Sequence, residues 1–226
     1  EIKSINPSAL IIELPSNPML KCVNIKKISK IAKKLNIPLI VDDTIGSNLN
    51  INSIEHADIV FTSLTKIFSG SGDILAGSLI LNPKSKWIDQ FRNALNEINL
   101  PTLSDGDTVY LEKVSRDVNQ RVFEQNKACL ELKKRLETHS EIKNIFHPEN
   151  CPNFNSLLTS DGGYGCLLSF ELNGGLNKAK KFYDSLQVSK GPSLGTKFTL
   201  VCPYVLLAHY DELDWAESFG IPSHLI

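Results

Sequence analysis

Lys66 and the polar residues around it form the stretch of the sequence whose residue types best suit chemistry. A short apolar run, residues 59–61, precedes Ser63, Thr65 and Lys66, and a glycine-rich turn follows at residues 69–72. An amine and hydroxyl groups placed after a buried strand are typical of a lysine that forms a Schiff base with a phosphorylated cofactor. The alternative, from this stretch alone, is an ordinary strand and loop with a surface lysine.

Asp42 is the second candidate, because it ends an apolar run at residues 38–42 that suits a buried strand. A carboxylate there stays ionised opposite a cation, and a protonated pyridine nitrogen is such a cation. A competing interpretation pairs Asp42 with Asp43 as magnesium ligands. Neighbouring residues of an extended strand point to opposite faces, and no Gly-Lys-Ser/Thr phosphate loop accompanies the pair. The sequence therefore favours a single working carboxylate, Asp42.

The surrounding elements predict a parallel sheet that brings these residues to one edge. Residues 9–14 and 38–42 are apolar runs typical of buried strands, and between them a helix capped by Asn24 has apolar residues at helical spacing. A strand, a helix and a strand within about 35 residues form a βαβ unit. The strand at residues 59–63 repeats the pattern, so Asp42 and Ser63 both follow carboxyl ends of neighbouring strands, where ligands bind in open α/β sheets. This placement weakens the surface-lysine interpretation.

Beyond this sheet the sequence predicts a second, smaller domain. A strand at residues 76–81 and a helix at 84–98, after Pro83, complete the first part, and residues 101–107 form a joint. Residues 109–138 are a long helical pattern with a break expected near Asn119. We expect domains at residues 1–106 and 107–226, with an exposed loop at 150–163. The remaining expected elements are strands at 142–146, 165–172 and 198–201 and helices at 176–186 and 211–219.

The composition excludes several classes of partner. The 226 residues are 42% hydrophobic and 22% charged, with a formal net charge of -1, so no basic surface for nucleic acid or an anionic membrane is expected. No apolar run approaches the roughly 20 residues of a membrane span. The five cysteines show no C-x-x-C spacing and the five histidines no ligand spacing. This pattern predicts reduced thiols, a cytoplasmic location and no metal site.

Five motifs follow one another along the chain. They are Glu13-Leu-Pro-Ser-Asn17-Pro18, Val41-Asp42-Asp-Thr44, Ser63-Leu-Thr65-Lys66, Gly70-x-x-Asp73 and Ser193-Leu194-Gly195. Together they resemble the Cys/Met-metabolism family of pyridoxal-phosphate-dependent enzymes, the trans-sulfuration enzymes. The resemblance covers nearly the whole chain, and it is closest to the fungal cystathionine γ-synthase-like members.

The resemblance implies an α/β fold of the type I pyridoxal-phosphate transferases. The chain would form the latter part of the large, mostly parallel-sheet domain and a smaller α/β carboxy-terminal domain. The implied activity is γ-replacement on an activated homoserine with cysteine to give cystathionine, in methionine biosynthesis, by a homodimer or homotetramer. Cystathionine β- or γ-lyase and homoserine sulfhydrylase chemistry are the alternatives within the family. An inactive, truncated paralogue that acts as a structural or interaction protein is the alternative outside it.

The resemblance also implies pyridoxal 5′-phosphate as the cofactor and gives roles to six residues. Lys66 resembles the residue that binds the cofactor covalently and shuttles the substrate proton, and Asp42 resembles the partner of the pyridine nitrogen. The phosphate ligands are Ser63 and Thr65, and the substrate contacts are Asn17 and Ser193.

Several positions depart from the family pattern. Asp43 stands where asparagine is usual, which we expect to add negative charge near the site, and Pro192 and Phe198 stand where glutamate is common. These changes leave open which homoserine ester and which thiol react, and whether the chemistry is that of a lyase or a synthase. The family's amino-terminal part, with its ring-stacking tyrosine and glycine-rich phosphate loop, does not precede Glu1. We therefore expect a segment of a longer enzyme that alone binds the cofactor weakly and does not turn over.

Overall fold

A four-stranded sheet organises the first part of the molecule. The computed structural model describes residues 2–226, with side chains described from residue 4 onward. After a short helix α1 (Ile2–Ile5), the strands are β1 (Leu10–Glu13), β2 (Leu39–Asp42), β3 (Ile59–Ser63) and β4 (Gly77–Leu81), in the spatial order β1-β2-β3-β4. Strands β1, β2 and β3 run parallel, and β4 pairs antiparallel with β3. The expectation of an α/β fold with a mostly parallel sheet is confirmed.

Helix α2 (Ile25–Leu35) forms the crossover between β1 and β2, as its sequence predicts. The Asn24 side chain accepts a hydrogen bond from the Lys27 amide at 3.0 Å, which satisfies one of the amide groups left free at a helix start. Ile25 and Ala32 are buried against the sheet, and the lysines face away from it. Asn36 ends the helix in a left-handed conformation, with φ of 57°.

Helix α3 (Ile88–Glu97) begins later than the expected start at residue 84. Side chains hold the preceding residues in a turn: the Asn82 carboxamide oxygen accepts from the Lys84 amide at 2.9 Å, and the Ser85 hydroxyl accepts from the Trp87 amide at 3.1 Å. Such local bonds compete with helical ones, which accounts for the difference. The long helical pattern after the joint is two helices, α4 (Asp105–Ser115) and α5 (Val118–Glu137), so the break lies slightly before the expected position.

The remaining elements are short. They are strands β5 (Ile142–Phe146), β6 (Ser169–Leu172), β7 (Ser189–Lys190) and β8 (Leu200–Val201) and helices α6 (Pro152–Asn155), α7 (Gly175–Ser185), α8 (Tyr204–Ala208) and α9 (Leu213–Ser218). Strands β5 and β6 pair antiparallel, and β7 and β8 pair parallel. The division into domains at residues 106 and 107 stays a prediction.

The segment at residues 150–163 is not the exposed loop that its composition predicted. Phe154 and Leu157 are buried, and both belong to the hydrophobic core beneath the first sheet, together with Leu14 and Val41. The Leu157 carbonyl also accepts a hydrogen bond from the Asn52 amide at 2.8 Å. The composition of the segment is typical of a loop, but burial of these two apolar side chains removes apolar area from water and so holds the segment against the core. Nowhere in residues 2–226 is a helix both long enough and apolar enough to cross a membrane.

Candidate functional site

Asp42 and Ser63 lie at the same edge of the sheet, where the parallel strands β2 and β3 end. Thr44 connects them: its amide donates to Asp42 Oδ1 at 2.9 Å, and its hydroxyl oxygen accepts from the Ser63 amide at 2.8 Å. Thr44 therefore fixes one carboxylate oxygen of Asp42 and the end of the neighbouring strand. Thr44 is the last residue of the Val41-Asp42-Asp-Thr44 motif, but its residue type alone did not indicate this role.

Lys66 lies in a π-helical turn, Leu64–Phe68, that directly follows β3. The Ser69 amide donates to the Leu64 carbonyl at 3.0 Å, and Lys66 itself has a non-helical backbone, with φ of -90° and ψ of -115°. Short π-helical segments are rare and are often found at functional sites. In residues 2–226, no ion pair joins the Lys66 amine to a carboxylate. The amine is half-buried and is available to a ligand.

Thr65 does not continue the strand that ends at Ser63. The strand ends at Ser63, and Thr65 belongs to the π-helical turn. Its hydroxyl oxygen accepts from the Ala76 amide at 3.2 Å, a bond that ties the turn to the start of β4. The two hydroxyls still occur within three positions of one another at the same edge of the sheet.

Arg121, on α5, holds the lysine turn from behind. Its guanidinium group is buried, donates to the carbonyl oxygens of Ile67 and Phe68, and pairs with Asp117 at 3.2 Å. Gly70 has φ of +69°, and a Cβ there would lie 2.7 Å from the guanidinium carbon. Arg121 is therefore a positioning residue for Lys66. The sequence did not indicate this role, because it depends on how α5 packs against the turn.

The motif Ser193-Leu194-Gly195 comes from a distant part of the chain and packs onto the same turn. The Lys66 Nζ donates to Ser193 Oγ at 3.5 Å. Gly195 has φ of +75°, and a Cβ there would lie 2.6 Å from the Ile67 amide nitrogen. The Lys197 amide donates to the Gly70 carbonyl at 2.9 Å. Hydrogen bonds before and after Gly195 in the chain therefore hold the Ser193 segment on the lysine turn.

Asn17 approaches from the loop between β1 and α2. Its amide donates to Glu13 Oε2 at 3.4 Å. Asn17 and Ser193 line one cavity of about 90 Å³. Of the six residues singled out from the sequence, the structure therefore joins Lys66 to Ser193 directly, Asn17 to Ser193 through the cavity, and Asp42 to Ser63 through Thr44. No hydrogen bond between Lys66 and Asp42 occurs in the described residues.

Asp43 is turned away from Asp42, as alternation along an extended strand requires. Its carboxyl group is buried, with 1% of the residue exposed, and accepts hydrogen bonds from the Thr62 hydroxyl and, at 3.3 Å, from Ser53. Burial raises the pKa of Asp43, an effect that the two hydroxyl bonds partly offset. The raised pKa makes the neutral acid easier to form than in an exposed aspartate, and the added negative charge near the site stays a prediction.

The groups at this edge fit a phosphorylated pyridine aldehyde. They offer an amine for the aldehyde, a carboxylate for the ring nitrogen and hydroxyls for a phosphate. They do not form a metal site: within residues 2–226, no cluster of three or more His, Cys, Asp or Glu side chains could hold a metal ion.

Comparison with known proteins gives the same cofactor chemistry. The family model for Cys/Met metabolism PLP-dependent enzymes matches residues 1–218. Cystathionine γ-synthase from Neurospora crassa is 39% identical over 221 residues, which cover 96% of this chain and 35% of that protein. Cystathionine γ-synthase from Saccharomyces cerevisiae is 37% identical over 235 residues, covering 96% of this chain and 36% of that protein. The chain thus spans about a third of the length of these relatives.

Solved structures have the same fold. Cystathionine γ-synthase from Xanthomonas oryzae pv. oryzae, in complex with cystathionine, superposes with a TM-score of 0.85 at 24% identity, over 99% of this chain and 58% of that one. Cystathionine γ-lyase from Lactobacillus plantarum, complexed with L-serine, superposes with a TM-score of 0.82 at 23% identity, over 100% of this chain and 61% of that one. The expected type I fold, present in part, is confirmed. The chain belongs to the Cys/Met metabolism family of pyridoxal-phosphate-dependent enzymes.

Proposed function

We propose that the chain is the cofactor-holding part of an enzyme that joins an activated homoserine to cysteine and releases cystathionine. The observation that carries this proposal is the position of Lys66 in a π-helical turn at the carboxyl edge of the sheet, beside Ser193 and near the ends of β2 and β3. The names of the Neurospora and Saccharomyces relatives support γ-replacement over the other reactions of the family.

In this proposal Lys66 binds the aldehyde of pyridoxal 5′-phosphate, Asp42 faces the ring nitrogen, and Ser63 and Thr65 donate to the phosphate. When bound, the cofactor withdraws electrons from Cα of an amino-acid substrate. Asp42 keeps the ring nitrogen protonated, and the Thr44 amide orients its carboxylate through Oδ1. Ser63 is well placed for a phosphate, because its hydroxyl has no other hydrogen-bond partner in the described residues.

The amine of Lys66 is the group that moves protons. It lies 3.5 Å from Ser193 Oγ, a hydroxyl that holds the amine in place while it is not bonded to the cofactor. Once released, the amine takes the proton from Cα of the substrate and delivers it where the leaving group departs. Ser193 and Asn17, on the wall of the adjoining cavity, hold the substrate.

The proposal extends to the whole protein. It includes domains at residues 1–106 and 107–226, small amino-acid substrates and a homodimer or homotetramer. It also includes a cytoplasmic location, which is consistent with five cysteines that form no disulfide in the described chain.

The test is covalent capture of the cofactor. The protein is mixed with pyridoxal 5′-phosphate, its visible absorbance is recorded, and the adduct is reduced with borohydride and mapped by mass spectrometry. We expect the adduct on Lys66, its loss in Lys66→Ala and its retention in Lys84→Ala, a matched change of an exposed lysine. An adduct confined to another lysine would contradict the proposal. Cystathionine as the product from an O-acylhomoserine and cysteine would support γ-replacement, and release of a keto acid in its place would indicate elimination.

A further inference from the structure

Helix α5 contacts both of the segments that meet at the site. Arg121 holds the lysine turn through its bonds to two carbonyl oxygens of that turn. Gln125, four residues further along, holds the Ser193 segment, here residues 193–197. Its Nε2 donates to the carbonyl oxygens of Thr196, at 2.9 Å, and of Gly195, at 3.4 Å. Because residues four apart on a helix lie on the same face, one face of α5 carries a support for each segment.

Asp117, four residues before Arg121, adds a second and weaker link to the Ser193 segment. Its Oδ1 pairs with Arg121 at 3.2 Å, and its Oδ2 accepts from the Lys197 amine at 2.8 Å. The Asp117 and Lys197 side chains are 50% and 45% exposed, so water screens their attraction. The main attachment of the Ser193 segment to α5 is therefore the part-buried contact of Gln125.

The carboxamide of Gln125 has one orientation that satisfies its neighbours. Two carbonyl oxygens face it, and a carbonyl oxygen accepts but cannot donate, so the nitrogen must point to them. The carboxamide oxygen, Oε1, is buried, and in the part of the chain that the structure describes nothing donates to it. A buried acceptor without a donor costs folding free energy. The contribution of Gln125 therefore lies on its nitrogen side, where it holds the Ser193 segment.

The position of the Ser193 hydroxyl depends on this support. The hydroxyl accepts from Lys66 Nζ at 3.5 Å, which is close to the upper limit for a hydrogen bond, so a displacement of a few tenths of an ångström would break the contact. Elsewhere in the described chain no group hydrogen-bonds the Ser193 side chain. Its place is set by the residues that follow, of which Gly195 packs on the lysine turn and Thr196 is held by Gln125.

We propose that Gln125 is a positioning residue for Ser193: its carboxamide nitrogen holds the Ser193 segment where the Ser193 hydroxyl meets the Lys66 amine. Helix α5 then places both partners of this pair, the amine through Arg121 and the hydroxyl through Gln125. The inference rests on the proposed function for what the pair does, because there the hydroxyl holds the amine that binds the aldehyde and moves protons.

The first test needs no cofactor. The protein is treated with a trace of acetic anhydride, and acetylation of Lys66 is measured by mass spectrometry relative to Lys84, an exposed lysine. An amine that loses a hydrogen-bond partner reacts faster, so Gln125→Leu should raise the relative rate at Lys66 about threefold, the effect of one weak hydrogen bond lost. Ser193→Ala should raise it equally. The double variant should react no faster than either single one, because both changes remove the same contact.

Two more variants control this test. Gln120→Leu breaks an exposed bond from the Gln120 carboxamide to Glu124 on the same helix and should leave the rate at Lys66 unchanged. Gln125→Glu keeps the shape of the side chain but removes its donor, so it should raise the rate as Gln125→Leu does even if leucine disturbs the packing. An unchanged rate at Lys66 in both Gln125 variants would overturn the proposal. An increase that persisted in the Ser193→Ala background would also overturn it, because Gln125 would then act on the lysine turn by another route.

A second measurement uses the cofactor. Titration with pyridoxal 5′-phosphate, followed by visible absorbance, should show an affinity about threefold weaker in Gln125→Leu and in Ser193→Ala, with no further loss in the double variant. Equal affinities in wild type and Gln125→Leu would overturn the role of Gln125 at the cofactor. Absence of the absorbance in the wild type would instead overturn the proposed function, while acetylation of Lys66 would still decide whether Gln125 places Ser193.

Discussion

Replacing Gly195 with alanine tests whether the Ser193 segment packs directly on the lysine turn. Gly195 has φ of +75°, and an added Cβ would lie 2.6 Å from the Ile67 nitrogen and 2.8 Å from the Ile67 Cα. The left-handed backbone costs a residue with a side chain about 1–2 kcal/mol. Pressing a methyl group against backbone atoms, which cannot rotate away, adds ~1–3 kcal/mol. Because Ile67 follows Lys66 in the chain, relief of the clash must either displace the turn that carries the amine or move the Ser193 segment away from it.

Gly220→Ala is the matched control for this change. Gly220 has nearly the same backbone, with φ of +74°, but nothing lies within 4 Å of the position of its Cβ. Its replacement should therefore cost only the backbone part, about 1–2 kcal/mol. The difference between the two variants isolates the contact with Ile67.

Thermal unfolding followed by circular dichroism measures that difference. For a chain of this size, each kcal/mol lowers the midpoint by about 2–4 °C, so Gly195→Ala should unfold several degrees below Gly220→Ala. In the proposed site it should also weaken binding of pyridoxal phosphate, while Gly220→Ala should not. Equal midpoints for the two variants would refute the direct contact between the Ser193 segment and the lysine turn.

Two further changes test the support around the site. Arg121→Met leaves the carbonyls of Ile67 and Phe68 without their buried donor and should lower the free energy of unfolding by ~2–4 kcal/mol in urea titrations. Arg116→Met, which breaks an exposed pair with an arginine side chain 71% exposed, should change it by less than about 1 kcal/mol, and equal losses would count against the buried role. Burial raises the pKa of Asp43 above 3.8, so its contribution to stability is fully present below that pH and is lost as the pH rises through the raised pKa. Asp43→Asn should remove this dependence, and urea titrations over a pH series that showed parallel curves for the two proteins would contradict it.

The sequence by itself determined the first sheet and the order of the candidate site along the chain. Apolar runs and a capped amphipathic helix predicted β1, α2 and β2, because those signals act within a few residues of one another. The rule that ligands bind past the carboxyl ends of parallel strands then placed Asp42 and Ser63 at one edge. The five motifs around them indicated the family that the comparisons confirm.

The tertiary structure decided which groups support those residues. Arg121 holds the lysine turn across 54 positions of sequence, and Ser193 reaches Lys66 across 127. No local pattern encodes such contacts, because they depend on how helices and loops pack after the sheet has formed. For the same reason the composition of residues 150–163 predicted an exposed loop, whereas Phe154 in this segment is buried in the core. Residue types and local spacing therefore predicted the chemistry and the strands that present it, while long-range packing decided the geometry of the lysine turn and the wall of the cavity.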